Sequence, residues 1–158
     1  PWNSAFNPNH ARKAGIMTLV NVRAAFEKAV TDAVAAADNT VLMVYDNVAY
    51  TTPGKTKKYI LMRIDFAQST LQVHGAASDY YSGVIQCNVY VPRNAGTSTL
   101  SALSEAVIDG LTSVNALGYA DVFNSSPRVK DVNGPTPIEL DDVSHYLAII
   151  SCQFTATA

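Results

Sequence analysis

YYSGVIQCNVYVP, residues 80–92, is the stretch on which the fold turns. From Tyr81 to Val91 residue character alternates. Ile85, Cys87, Val89 and Val91 fall on one face, and Gln86, Asn88 and Tyr90 on the other. Successive side chains of a strand point to opposite faces, so this stretch predicts a strand buried on one side. After the Pro92–Ser98 loop the period changes. Leu100, Leu103, Val107, Leu111 and Val114 recur at three- and four-residue spacing, the stripe of an amphipathic helix over about 99–115. A one-sided helix following a one-sided strand is the unit of a two-layer architecture, in which each covers the other's apolar face.

The same two patterns recur outward from this core. Upstream, Leu19, Val22, Phe26, Ala29, Val30, Ala33 and Ala37 predict a helix over 18–38, with Thr18 as its cap and Asp38-Asn39 as its stop. A short apolar run, Val41–Tyr45, ends at the turn residues Asp46-Asn47. Tyr59–Phe66 alternates strictly, with Ile60, Met62, Ile64 and Phe66 on one face and Tyr59, Leu61, Arg63 and Asp65 on the other. Between these lies a loop, Thr51–Lys58, that carries Pro53-Gly54; a polar stretch, Gln68–Asp79, follows the strand.

Downstream, short strands are expected near Tyr119–Phe123 and Arg128–Val132, and brief pairing at Ile138–Leu140. The segment Gly134-Pro135-Thr136-Pro137 reads as irregular. His145–Ala156 is the last strand, with Tyr146, Ala148, Ile150, Cys152, Phe154 and Ala156 on one face. The order of elements predicts an α+β, two-layer sandwich, with two helices packed on one face of a mainly antiparallel β-sheet. Residues 1–16 have no apolar periodicity and read as an N-terminal arm, with Trp2 and Phe6 as candidate anchors on a neighbouring subunit; residues 17–158 form a single domain.

Composition narrows the role. Hydrophobic residues make up 48% of the 158 and charged residues 15%, against roughly 25% charged in an average globular protein. With a net charge of −2, much of the surface is neutral or apolar, which favours assembly with other chains. A pI near 5.8 gives no dominant basic field for gripping nucleic acid. No apolar run is long enough to span a membrane, and no signal peptide is expected.

The sequence carries little recognisable chemistry. The sequence holds no G-x-S-x-G, H-E-x-x-H, Walker or G-x-G-x-x-G motif. Glu139, Asp141, Asp142 and His145 are the best candidate metal cluster, and would support a small metal-dependent enzyme; a solvated acidic turn is the plainer reading. His10 and His74 sit in polar stretches without a nucleophile or carboxylate partner. Cys87 and Cys152 fall on apolar strand faces and read as buried thiols. No catalytic residue, metal or cofactor is therefore assigned. Lys55, Lys57 and Lys58 cluster in one loop, suited either to solvent or to an acidic or phosphate partner.

Four stretches together resemble the tail terminator-like proteins of long-tailed bacteriophages. They are TLVNVRAAFEKAV, TTPGKTKKYILMRIDF, YYSGVIQCNVYVP followed by LSALSEAVIDGL, and PTPIELDDVSHYLAIISCQF. The likeness runs over about residues 17–158. It implies two helices on one face of a sheet and a homo-hexameric ring. Such a ring caps the tail tube, stops its polymerisation and offers a docking surface to head-completion (neck) proteins. The implied partners are further copies of the chain, the tail tube protein, the neck protein, the sheath in a contractile tail, and DNA in transient non-specific contact within the lumen; the implied location is the virion, assembled in the host cytoplasm. Another neck or head–tail joining subunit, or a tube protein, is the alternative. Thr51–Lys58 and Gln68–Asp79 match the loops by which terminators reach a neighbour. Lys55, Lys57 and Lys58 would then face the lumen or an acidic tube surface, and Tyr80 and Tyr81 would be interface anchors.

Overall fold

The computed structural model describes residues 19–70, 80–94, 96–116, 126–139 and 144–157. In chain order these form α1 (Leu19–Ala37), β1 (Leu42–Tyr45), β2 (Tyr59–Thr70), β3 (Tyr80–Pro92), α2 (Thr97–Ser113), β4 (Ser126–Ile138) and β5 (His145–Thr157). The strands make one five-stranded sheet in the order β1-β2-β3-β5-β4. Only β1 and β2 run parallel; the other pairings are antiparallel. The expected α+β sandwich is the fold observed.

Alternation decides which face is covered. The inward set of β3 predicted from sequence, Ile85, Cys87, Val89 and Val91, is wholly buried, and faces Cys152, Ile150, Ala148 and Tyr146 across β5. Both helices lie over this face. α1 buries Val22, Ala25, Phe26, Ala29, Val30 and Val34, and α2 buries Leu100, Leu103, Ala106, Val107 and Leu111. Ala25 and Val34 thus replace the expected Leu19 and Ala37, which sit at the ends of α1 and are exposed. The helices touch each other through small residues: a Cβ on Gly110 would stand 2.8 Å from Val30 Cα and 3.0 Å from the Ala29 carbonyl.

Phe154 ties the layers together. Its ring centroid lies 5.0 Å from that of Phe26 on α1 and 5.5 Å from that of Phe66 on β2. The ring covers Gly83, where a Cβ would come within 2.8 Å of Phe154 Cε1 and 2.1 Å of the Asp65 carbonyl. Only glycine fits at that crossing.

Several boundaries differ from those expected. β2 continues past Phe66 to Thr70, with a register shift between Phe66 and Gln68. α2 starts at Thr97, after Gly96 at φ 81. The largest correction is β4, which runs unbroken through the Gly134–Pro137 segment expected to be irregular. As the outermost strand it pairs only with β5. Proline lacks only the N–H that an edge strand need not donate, and two register shifts, at Val129/Val132 and Asn133/Thr136, absorb the remaining misfit. Gly134, at φ 102, takes the backbone conformation the second bulge requires. Residues 1–16, the Thr18 cap, the strand expected at Tyr119–Phe123, and most of Gln68–Asp79 lie outside the described residues.

Candidate functional site

With the helices on one face, the other face and the rims of the sheet are left accessible. One end of that outer face is covered by the chain itself. The connection from β1 to β2, residues 46–58, crosses it and brings Val48 and Tyr50 over Leu61, Arg63, Gln86 and Asn88. Beneath it, Tyr59 and Tyr90 stack with centroids 4.4 Å apart and planes within 5°. His145 meets the Tyr59 ring edge-on at 5.2 Å. Burial, with Tyr90 and Tyr50 close by, pushes the Tyr59 hydroxyl up to about 12.

His145 belongs to this cover. Its Nε2 lies 2.8 Å from the Lys57 carbonyl and its Nδ1 3.0 Å from Ser144 Oγ. A carbonyl only accepts, so Nε2 carries the proton, and Nδ1 accepts from the serine in the neutral ring. Both nitrogens are engaged, which leaves none for a cation. Of the expected metal cluster, Glu139 is exposed, Asp141 and Asp142 lie outside the described residues, and His145 is a buried tie between β5 and the loop. No group of three or more candidate ligands converges among the described residues.

The three lysines separate. Lys55 and Lys57 are exposed. Lys58 is half-buried and paired with Asp38, which also accepts hydrogen bonds from the Thr40 amide at 2.9 Å and the Thr40 hydroxyl at 2.6 Å. The Lys58 ammonium and these Thr40 donors hold the Asp38 carboxyl down at about 2. The tyrosines separate too. Tyr81 packs in the core, while Tyr80 stays 37% exposed on the outer face. Trp2 and Phe6 lie outside the described residues.

Both thiols are buried among apolar side chains. Burial, reinforced by Cys152, raises the Cys87 thiol to about 12, and burial raises Cys152 to about 11. Neither is a nucleophile at neutral pH.

Among the described residues, the other end of the outer face is open. There a shallow groove of about 600 Å³ is bounded by Tyr80 and Val84 of β3, Gln153 and Thr155 of β5, and Arg128 and Lys130 of β4. Sequence reasoning missed it. The alternation Arg128-Val129-Lys130 was the available signal, for it sends both cations to the face opposite Val129.

No protein-family model matches the chain, and no curated protein matches it in sequence. Among solved structures, a protein whose name states no function superposes with a TM-score of 0.64 at 24% identity, over 89% of this chain and 96% of its own. That likeness shows the fold. A chain from the "Virion of native gene transfer agent (GTA) particle" gives a TM-score of 0.46 at 21% identity, over 86% of this chain and 96% of its own. At that score the overlap defines neither fold nor role. Among the described residues no helix is long and apolar enough to cross a membrane.

Proposed function

We propose that this chain is a virion structural protein of a long-tailed phage, a tail terminator. Its copies close into a ring, of six subunits, that caps the tail tube, stops its growth and presents a docking surface to the neck. The observation that supports this most is that the fold implied by the sequence resemblance, two helices on one face of a sheet, is the fold the chain adopts. The low charge content and the half-open outer face fit a subunit that buries surface against its neighbours. The chemistry is geometric rather than catalytic: one ring face matches the tube's end and the other offers no site for a further tube ring.

Electron microscopy of the purified protein tests this reading. Uniform annular particles are expected. Extended open-ended tubes would instead identify a tube protein, because a heterologous contact that does not close propagates without limit.

A further inference from the structure

The open groove and one acidic segment of the same sequence are complementary. Among the described residues, Arg128 and Lys130 are the charged ones that line the groove, and no carboxylate does. Arg128 Nη1 donates to the Pro127 carbonyl at 2.9 Å and reaches the Val114 carbonyl at 3.5 Å. Neither cation forms an ion pair among the described residues, whereas Arg23, Lys28, Lys58 and Arg63 all do. Beside the cations stand two exposed apolar side chains, Tyr80 and Val84. The matching occupant is anionic and partly apolar.

The sequence carries such a segment once: Ile138-Glu139-Leu140-Asp141-Asp142-Val143 interleaves three carboxylates with three aliphatic residues. Glu139 is exposed, and Arg93, which shares its corner of the fold, makes no ion pair with it. Other acids fit less well. Glu105 and Asp109 are exposed on α2, on the opposite side of the sheet from the groove, and Asp131 sits in the β4 bulge without lining it. Within one chain the segment cannot reach the groove. Arg128 and Glu139 mark opposite ends of β4, and at about 3.3 Å per residue, less the two bulges, they stand roughly 30 Å apart.

We propose that the groove receives residues 139–142 of a second copy of this chain, which makes it one half of the contact between ring neighbours. The proposal rests on the ring reading above. Charge complementarity sets the register of the contact and excludes wrong pairings, while Tyr80 and Val84 supply apolar burial.

Two charge-reversed proteins test it: R128E/K130E, with an acidic groove and an acidic segment, and E139K/D141K/D142K, with a basic groove and a basic segment. Sedimentation velocity should find each monomeric alone, with melting temperatures near that of the wild type. Mixed in equal amounts, they should assemble, because each groove then meets a segment of opposite charge. Assembly of either variant alone, or failure of two folded variants to assemble when mixed, would overturn the proposal and leave the ring reading standing. A monomeric wild type would overturn both. If glutamates at the groove unfold the chain, R128Q/K130Q serves instead: at least tenfold weaker association is expected, and undiminished association overturns the contact.

Discussion

Cys87 stands opposite Ile150 and Cys152 opposite Ile85, so the thiols occupy diagonal positions on the covered face of two paired strands. The strand period alone predicted their burial, because alternation fixes which side chains share the apolar face. Burial raises both thiols, to about 12 and about 11, so thiolate is scarce at neutral pH. A thiol reagent such as Ellman's should therefore leave the native protein unmodified at pH 7.5 and titrate two thiols in guanidinium; prompt native reaction would contradict the packing. The lysines were less legible. Their clustering was visible, but Lys58's partner, Asp38, lies 20 residues away, and the bond from His145 to the Lys57 carbonyl spans 88. Contacts of that range come from the fold, not from local pattern. Replacing Lys55 and Lys57 by alanine should change stability by no more than about 0.5 kcal/mol and, under the proposed tail-terminator function, impair tail joining. Lys58→Ala should in addition lower the melting temperature, since it removes the ammonium paired with Asp38 and leaves only the Thr40 donors. Normal phage yield from the double variant would make the loop merely solvated.

The elements show how an open sheet closes its own rims. Past Tyr45, β1 no longer covers the edge of β2. There Asp46 accepts from the Ile64 amide at 3.2 Å, and Arg23 Nη2 donates to the Ile64 carbonyl at 3.0 Å. Arg23 and Asp46 pair with each other at 3.1 Å, so together they stand in for a neighbouring strand. At the opposite rim, Asn115, just past α2, plays the same part. Its Nδ2 donates to the Val129 carbonyl at 3.0 Å, and its Oδ1 accepts from the Val129 amide at 2.9 Å. Asn115→Ala leaves both backbone groups without that partner, and a loss of about 1–3 kcal/mol in unfolding free energy is expected by denaturant titration. A change below about 0.5 kcal/mol would mean that water replaces the amide. In sequence, Asn115 was legible only as the end of the helix expected over about 99–115. β4 was misjudged for a related reason: glycine and proline argue against a strand in general, yet an edge strand tolerates them and is guarded by them.

For the molecule as a whole, the helical layer was readable and the outer face was not. One-sided periodicity in two helices and three strands determines a two-layer sandwich, because each apolar face needs a cover. How the outer face is divided depends on where the loop of residues 46–58 falls, and no periodicity records that. The division carries the proposed function: one end is partly covered by the loop that carries Tyr50, beside Tyr59, Tyr90 and His145, and the other, open among the described residues, is where the proposal seats a neighbouring subunit. Native mass spectrometry of the purified protein at micromolar concentration tests that account most directly. It predicts a single closed species at six times the chain mass of 16.9 kDa, with no ladder of larger forms. A lone monomer peak, or an open series of ever larger oligomers, would contradict it.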